Sequence, residues 1–266
     1  MKGRVLVIAG SDSGGGAGIQ ADIKTISAFG GFAMTAITAV TAQNTQGVIG
    51  IEYLSPGLVA DQIRVVLDDL GANIIKLGML GNAAIMEAVG DTLARYPGIR
   101  CVIDPVMVAT SGARLMTDDG EAAFARLYRH AFMLTPNLPE LTALSGQGVE
   151  TEGEMEHAAT FLRAEHQIEW VLAKGGHLPG DLVVDILTGL EGSLRYQDPR
   201  IETLHTHGTG CTLASAIAVG LAQGASVRKA VAQARLFVRQ AILQAPPWGK
   251  GSARPMNHAP NMKSPS

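Results

Sequence analysis

The stretch from His205 to Gly224 reads HTHGTGCTLASAIAVGLAQG and holds the residue types best suited to chemistry. Gly208, Thr209 and Gly210 form a short loop that leads directly into a helical run of small residues. Glycines let a backbone turn tightly and approach a ligand, and the helix directs its unpaired N–H groups and positive dipole end at the loop. Such a corner suits a phosphate or a developing oxyanion. Cys211 lies at the junction, where the pKa of a thiol tends to be lowered. We therefore predict an anion-binding corner that contains a base or a nucleophile.

A purely structural interpretation of this stretch stays open at this point. Glycine loops before helices are common connections, and a single cysteine is often a small buried hydrophobic residue. The nearby His205 and His207 do not make a zinc site, because two further ligands would be needed. A short motif is only a hypothesis, so whether this stretch is functional has to be judged together with the rest of the chain.

The composition favours a large α/β domain in a reducing compartment. The 266 residues are 47% hydrophobic, which is enough apolar material for a sizeable core. The net charge is −3 without a basic block, so nucleic acid is not an expected partner. Cys101 and Cys211 are the two cysteines and lie far apart, so we expect no disulfide and a cytoplasmic location. No apolar run is long enough for a signal peptide or a membrane span.

Apolar strand patterns alternate with helical patterns along most of the chain. The predicted strands are residues 4–9, 35–41, 73–77, 100–103, 131–134, 170–173, 182–187, 193–196 and 200–203. The predicted helices are residues 17–29, 56–70, 83–96, 119–130, 152–166, the run after Gly210, and a last helix to about 244. Thr151 with Glu154, and Ser226, are predicted N-terminal helix caps. The alternation predicts a mostly parallel sheet with helices on both faces. We expect a single domain over residues 1–245 and an irregular, Pro-rich tail over residues 246–266.

Two familiar nucleotide-binding motifs are not supported. Residues 16–21 match GxGxxG/A formally, but no Asp or Glu lies between Ile23 and Ile51, where a dinucleotide fold carries its acidic residue. This disfavours a nicotinamide oxidoreductase. The P-loop pattern GxxxxGK[ST] is absent, since Gly249-Lys250 is followed by Gly251. Any phosphate chemistry therefore uses another fold.

Polar side chains gather at the carboxyl ends of the predicted strands, where open α/β sheets bind ligands. These positions are Ser11, Asp12, Gln43, Asn44, Met79, Asp104, Asn137, Glu140 and Lys174, and with Cys211 they would face one rim. Each has a structural alternative: Asp104 with its proline also fits a simple turn, and Asn137 with Glu140 is, on its own, better explained as a capping box. Their joint placement predicts an active site.

The predicted roles add up to phosphoryl transfer. Asp104 and Glu140 would hold Mg²⁺ against the phosphates of a nucleotide, and Lys174 would neutralise those phosphates. The loop at 208–210 would stabilise charge on the transferring group, and Cys211 would take the proton of an attacking hydroxyl. Because phosphoryl transfer is mostly positioning and electrostatics, these residues are a sufficient set.

A set of motifs spread over the chain resembles the hydroxymethylpyrimidine/phosphomethylpyrimidine kinases of thiamine biosynthesis, which belong to the ribokinase-like superfamily. The motifs are AGSDSGGGAGIQADIKT, TAQNTQGV, KLGML, DPVMVATSG, TPNLPE, KGGH and THGTGCTLASAIAVGLAQG. They run in order from about Val5 to about Ile242 and are highly specific as a set. One departure is visible: the usual SDPSGG-like loop reads SDSGGG, which loses a proline but no expected contact.

The resemblance implies a fold and a reaction. The fold would be a ribokinase-like three-layer α/β sandwich, with a mostly parallel central sheet flanked by helices and a small β lid. The enzyme would use ATP with Mg²⁺ to phosphorylate 4-amino-5-hydroxymethyl-2-methylpyrimidine to its monophosphate and then to the diphosphate. Members are commonly homodimers, so the resemblance also implies a homodimer.

The resemblance assigns roles to individual residues as well. Gln43 would hydrogen-bond the aminopyrimidine. The ring pocket would be lined by Gly10, Met79 and Val106, with Asp22 close by. A magnesium-associated motif would consist of Asn137 and Glu140, near Asp104. ATP would contact Lys174, Thr206 and Gly208. The anion hole and base would be Gly208, Thr209, Gly210 and Cys211.

Two alternatives remain beside the pyrimidine kinase. Sugar and pyridoxal kinases of this superfamily usually carry Asp at the position of Cys211, so the cysteine resembles the pyrimidine-kinase branch, some of whose relatives also accept pyridoxal. A pyridoxal or pyridoxine kinase is the nearest alternative. A pyrimidine-binding regulator is the alternative from another class, and Asp104, Glu140 and Lys174 argue against it because a pure binder needs no metal apparatus.

Overall fold

Strands and helices alternate along the chain in the computed structural model, which describes residues 2–108, 112 and 115–260. The strands are β1 (Arg4–Asp12), β2 (Phe32–Asn44), β3 (Gly47–Tyr53), β4 (Ile74–Leu77), β5 (Arg100–Ile103), β6 (Ala131–Leu134), β7 (Trp170–Lys174), β8 (Leu182–Gly189) and β9 (Gly192–Pro199). The helices are α1 (Gly18–Ala28), α2 (Pro56–Asp69), α3 (Ala83–Leu93), α4 (Asp118–Phe124), α5 (Leu138–Ser145), α6 (Glu152–Glu165), α7 (Thr209–Ala222) and α8 (Val227–Leu243), and a 3₁₀ helix covers Ala125–His130.

Within the described residues the strands form one nine-stranded sheet in the order β3-β2-β1-β4-β5-β6-β7-β8-β9. In this order, the six strands β2, β1, β4, β5, β6 and β7 run parallel to one another. Antiparallel pairs lie only at the two sides of this part of the sheet, between β2 and β3 and from β7 to β9. The parallel strands therefore end at one common edge, which is where a site is expected.

The first strand shows why the fold has three layers. Val5 to Ala9 is buried on both faces, as is typical of a central parallel strand. Because side chains alternate along a strand, Leu6 and Ile8 join the core under the layer of α2 to α6. Val5 and Val7 join the opposite core, against α1, α7 and α8. The predicted three-layer α/β architecture is confirmed.

Some predicted elements need correction. No strand is predicted at residues 47–53, yet β3 pairs antiparallel with β2 there; Gly50 interrupts its apolar residues, and Ile49 and Glu52 are exposed. The strand predicted at 200–203 does not form, because Arg200 donates to main-chain carbonyls of the loop after β7 and the chain leaves the sheet. The helix predicted at 119–130 is split into α4 and the 3₁₀ helix. The caps at Thr151 and Ser226 are confirmed.

Residues 246–260 form neither helix nor strand, apart from an isolated β-bridge between Pro255 and His207, and they pack on the domain. The N–H groups of Lys250 and Gly251 both donate to Thr45 Oγ1 at 3.2 Å. His258 is buried, with its Nε2 3.1 Å from Thr212 Oγ1. This part of the tail is therefore tied to the β2–β3 turn and to α7. Residues 261–266 of the predicted tail lie outside the described residues, and no helix of the described chain is long and apolar enough to cross a membrane.

Candidate active site

The carboxyl ends of the parallel strands surround a cavity of about 940 Å³. It extends across the sheet from Gln43 on β2 to residues of β8 and β9. The predicted site residues on its wall are Gly10, Gln43, Met79, Asp104, Val106, Asn137, Glu140, Lys174, Thr206, Gly208, Thr209, Gly210 and Cys211. Side chains that are far apart in sequence thus share one cavity, as the joint placement at strand ends predicts.

The glycine loop turns the start of α7 into this cavity. Gly208 is the N-cap of α7 and has φ 81°, a left-handed conformation that favours glycine. A Cβ at this position would lie 1.9 Å from the carbonyl oxygen of Gly16, so only glycine lets the two loops approach. The first turn of α7, from Thr209 to Cys211, consequently lines the cavity, and a helix N-terminus at this place suits an anion.

A lysine and two carboxylates lie against the same loop. Lys174 Nζ is 2.8 Å from Asp104 Oδ1 and 3.9 Å from Glu140 Oε2. A Cβ on Gly210 would meet Asp104 Oδ2 and Lys174 Nζ, each at 3.3 Å. Burial lowers the pKa of Lys174, but the attraction of Asp104 and Glu140 outweighs it and the pKa lies above its ordinary value. The ammonium stays charged beside the anion-binding loop.

Asn137 and Glu140 form the capping box of α5 that the tetrapeptide predicts. Asn137 Oδ1 accepts the Glu140 N–H at 2.9 Å, and Glu140 Oε2 accepts the Asn137 N–H at 2.7 Å. Burial raises the pKa of Glu140 to about 7, against the opposing attraction of Lys174. The capping and catalytic interpretations are compatible, because the cap holds the Glu140 carboxylate on the cavity wall.

The environment of Cys211 corrects one expectation. Burial raises the pKa of its thiol to about 11, although a helix N-terminus and the nearby Lys76 favour the thiolate. The N–H of Gly18 donates to the sulfur. The expected lowered pKa is therefore wrong for the ligand-free protein, because removal from water outweighs the favourable charges.

Asp22, expected close to the ring pocket, is not among the residues that line the cavity. Its side chain is 0% exposed and forms an ion pair with Lys76, whose Nζ lies 3.0 Å from each carboxylate oxygen. Ser215 Oγ donates to Asp22 Oδ1 at 2.6 Å. The carboxylate belongs to a polar cluster beneath the cavity.

The end of the cavity beside β2 is lined by Gly10, Gln43 and Met79. A Cβ on Gly10 would lie 2.9 Å from Met79 Sδ, so this glycine allows the thioether to lie against the strand. Thr41 Oγ1 donates to Gln43 Oε1 at 3.1 Å, which orients the carboxamide. The backbone N–H of Gln43 donates to Ser13 Oγ at 2.9 Å. The first glycine loop and β2 are thereby joined beside Gln43.

The link between His207 and Asp12 is a feature that motif reasoning missed. His207 Nε2 lies 2.8 Å from Asp12 Oδ2 in a buried pair, and that carboxylate also accepts the N–H groups of Gly16 and Ala17. Burial raises the pKa of Asp12, but hydrogen bonds from His207 and the backbone outweigh it, so the pKa is lowered. The sequence signal for this link was the position of His207, directly before the glycine loop at Gly208. That loop packs against Gly16.

Charged residues on the far side of the cavity were also missed. They are Asp185, Asp198, Arg200, Arg235 and Arg239. Arg235 pairs with both Asp185 and Asp198. No sequence motif marks these residues, because the antiparallel pairing of β8 with β9 brings them together with α8.

Comparisons with known proteins agree with this architecture. The chain matches the sequence model of the family described as phosphomethylpyrimidine kinase over residues 12–257. It is 46% identical over 255 residues to the hydroxymethylpyrimidine/phosphomethylpyrimidine kinase of Streptomyces coelicolor, covering 96% of this chain and 93% of that protein. It is 45% identical to the thiamine biosynthesis bifunctional protein ThiED of Geobacter sulfurreducens, where it covers 97% of this chain but only 52% of that longer protein.

Solved structures show the same similarity. The phosphomethylpyrimidine kinase of Clostridium difficile is 37% identical, with a TM-score of 0.81 over 91% of this chain and 100% of that one. The pyridoxal kinase of Bacillus subtilis, solved as an ADP complex, is 32% identical, with a TM-score of 0.88 over 98% of both chains.

The mostly parallel sheet, its two helix layers and the glycine loop at the cavity define a ribokinase-like kinase. Within that class, the match over residues 12–257 and the high identity over nearly the full length point to one family. The chain belongs to the phosphomethylpyrimidine kinase family and is a phosphotransferase.

Proposed function

We propose that this protein uses ATP to phosphorylate 4-amino-5-hydroxymethyl-2-methylpyrimidine and then its monophosphate, for the synthesis of thiamine diphosphate. The observation that carries the proposal is the meeting of Lys174, Asp104 and Gly210 at the start of α7, in one cavity with Gln43. Relatives at 42–46% identity over nearly the whole chain carry the name of this activity.

The two substrates would occupy different parts of the cavity. Gln43, Gly10, Met79 and Val106 suit a small aminopyrimidine, since they combine one carboxamide with apolar and backbone surface. The phosphates of ATP would lie by Lys174, Thr206 and Gly208, and the solved ADP complex of the B. subtilis relative supports a nucleotide in this fold. The hydroxyl to be phosphorylated would then point at the loop between the two.

Magnesium fits the donors that are present. Asp104 and Glu140 supply carboxylate oxygens beside Lys174, while no cluster of three or more acidic, histidine or cysteine side chains suits a metal in the described part of the chain. Two carboxylates match the usual binding of Mg²⁺, which keeps water and phosphate among its ligands. Asn137 would hold Glu140 in place through the capping box. Bound there, Mg²⁺ would neutralise charge on the phosphates.

The chain's own groups would perform the transfer. The N–H group of Gly210, in the first turn of α7, would stabilise charge on the γ-phosphoryl oxygens, whereas the N–H of Thr209 donates to the Thr206 carbonyl at 3.3 Å. As the substrate oxygen bonds to phosphorus, its proton would pass to the Cys211 thiolate and ADP would leave. Because the free thiol has a pKa of about 11, only a small fraction is thiolate at neutral pH, so the rate would depend on how the site stabilises that form.

The test is ATP-dependent product formation measured by mass, with hydroxymethylpyrimidine, its monophosphate and pyridoxal offered separately. We expect both pyrimidines to be converted, the monophosphate to the diphosphate. Cys211→Ala should lose about 10²–10⁴-fold in kcat while keeping the wild-type melting temperature. Near-normal turnover of a folded Cys211→Ala variant would remove Cys211 as the base.

Phosphorylation of pyridoxal is a second candidate function. It is favoured by the structures of pyridoxal kinases from Bacillus subtilis and Staphylococcus aureus, which share the fold at TM-scores of 0.88. Conversion of pyridoxal alone would assign the protein to that activity. Binding of the pyrimidine without any product would instead favour a regulator.

The homodimer and the cytoplasmic location stay predictions. Sedimentation of the purified protein at micromolar concentration would decide the first, with a mass of twice 27.8 kDa expected.

A further inference from the structure

A lysine and an aspartate are fully buried beneath the cavity, and the transfer described above does not use them. Lys76 on β4 and Asp22 on α1 both have 0% exposed side chains. Lys76 is also the bulkiest of the fully buried side chains in the described part of the protein. Since apolar residues can often replace a buried ion pair without loss of stability, stability alone does not explain this pair.

The pair lies under Cys211. Ser215, which donates to Asp22, follows Cys211 by one turn of α7. Gly18, which donates to the Cys211 sulfur, precedes Asp22 by one turn of α1. The same two helices therefore hold both the thiol and the buried carboxylate.

Lys76 is separated from the cavity by a thin layer. A Cβ on Gly78 would lie 2.8 Å from Lys76 Nζ and 3.0 Å from the Cβ of Ala9. Ala9 itself lines the cavity. The absence of a side chain at Gly78 thus leaves room for the ammonium directly below the cavity floor.

Charged groups face Cys211 from several elements. They are Lys76 on β4, Asp22 on α1, Asp104 after β5 and Lys174 on β7. Burial is the main cause of the raised pKa of Cys211; Lys76 opposes the rise, whereas Asp22 and Asp104 add to it. Burial lowers the pKa of Lys76 too, but Asp22, Cys211 and Asp104 outweigh this, and the ammonium stays charged.

We propose that Lys76 and Asp22 are positioning residues for phosphoryl transfer. The Lys76 ammonium stabilises the Cys211 thiolate electrostatically from the buried side. Asp22, held by Ser215, fixes the position of that ammonium and weakens its effect on the thiolate. The role in turnover rests on the proposed function of Cys211 as the proton acceptor. The substrate proton goes to the thiolate, and Lys76 neither gains nor loses a proton.

The two charges have opposite effects on the thiol, and this makes the proposal testable. The experiment measures the rate of Cys211 alkylation by iodoacetamide between pH 7 and 10, in wild type, Lys76→Met and Asp22→Asn. Peptide mass spectrometry separates Cys211 from Cys101, which is only 2% exposed. We expect alkylation at a given pH to be about tenfold slower in Lys76→Met and about tenfold faster in Asp22→Asn.

A merely structural role gives a different pattern. Loosened packing would expose the thiol and accelerate alkylation in both variants. Charges too far from Cys211 would leave the alkylation rate unchanged in both variants. Either result in folded variants would overturn the proposal. Should one single variant fail to fold, the other decides, because no shift or a shift opposite to the expected direction overturns the proposal. The double variant Asp22→Asn/Lys76→Met, which leaves no unpaired charge, is the packing control and should stay within about fivefold of wild type.

Turnover separates this inference from the proposed function. With ATP and hydroxymethylpyrimidine at pH 7, kcat should fall about tenfold in Lys76→Met and should not fall in Asp22→Asn, while both KM values stay within about twofold. Opposite alkylation shifts without kinase activity in the wild type would contradict only the proposed function. Normal kinase activity without alkylation shifts would contradict only the buried pair's role.

Discussion

Two lysine–aspartate pairs stand on strands of the same sheet, and they differ in access to the cavity. Lys76 and Asp22 are 3.0 Å apart with 0% of either side chain exposed. Lys174 and Asp104 are 2.8 Å apart, and 14% of the Lys174 side chain is exposed. The first pair is sealed between α1, α7 and the sheet, whereas the second lies on the cavity wall against Gly210.

The difference in access separates two uses of the same chemistry. Lys174 already has Glu140 as a second carboxylate at 3.9 Å, and a phosphate entering the cavity can become a further partner. Lys76 has no such freedom, because its side chain is 0% exposed and its ammonium is paired with the equally buried Asp22. The open pair, Lys174 and Asp104, is therefore suited to bind and release a charged ligand. The sealed pair, Lys76 and Asp22, is suited to supply a constant electrostatic field.

Breaking the sealed pair should have the largest effect on stability. Asp22→Ala leaves an unpaired ammonium in the core, and we expect the free energy of unfolding to fall by about 3–5 kcal/mol. The matched change in the open pair, Asp104→Ala, should cost clearly less, since Lys174 retains Glu140 and reaches solvent. Urea unfolding measures both; equal losses would show that access does not distinguish the pairs.

Removing the cation of the open pair should affect catalysis more than folding. Lys174→Met is expected to lower kcat/KM for ATP by about 10²–10³-fold, because a preorganised charge at the transferring phosphoryl group is lost. Lys229→Met is a suitable control, since Lys229 is exposed on α8. Steady-state kinetics decides the matter: a loss below about fivefold in Lys174→Met would exclude a role in phosphate binding.

The pH dependence of turnover tests whether the thiolate of Cys211 is the reacting form. Burial raises the pKa of Cys211 to about 11, and the reactive form is the thiolate. If proton transfer limits the rate, kcat/KM for the pyrimidine should rise by up to about tenfold per pH unit between pH 6 and 9. The rise occurs toward alkaline pH because the folded protein favours the thiol. A profile that is flat over this range would show that thiolate formation does not limit turnover.

Sequence reasoning predicted the open pair and missed the sealed one for a physical reason. Asp104 and Lys174 each end a predicted strand, and the carboxyl ends of parallel strands meet at one edge, so their encounter follows from topology. Lys76 lies inside an apolar strand, where its burial depends on the packing of two helices. Asp22 was expected close to the ring pocket, but its side chain is fully buried and does not line the cavity.

The same reason explains the errors in the fold and at Cys211. The layers and most elements follow from apolar periodicity, which is local. β3 is a short, partly exposed strand at the edge of the sheet, where its position depends on pairing with β2. The docking of the tail on Thr45 depends on contacts across more than two hundred positions. The helix N-terminus at Cys211 was predicted correctly, but the raised pKa arises from burial by α1 and the sheet, which no short motif records.

A neutral contact outside both pairs should give the smallest effect. Gln43→Ala removes the carboxamide expected to bind the aminopyrimidine, and one hydrogen bond is worth about 0.5–1.5 kcal/mol. The KM for hydroxymethylpyrimidine should therefore rise about two- to tenfold while the KM for ATP stays unchanged. Gln46→Ala, at an exposed position in the neighbouring turn, is the control. If Gln43→Ala weakens both substrates equally, the effect acts through the β2–β3 hairpin as a whole. Gln43 would then resemble the sealed pair, acting by position and not by contact.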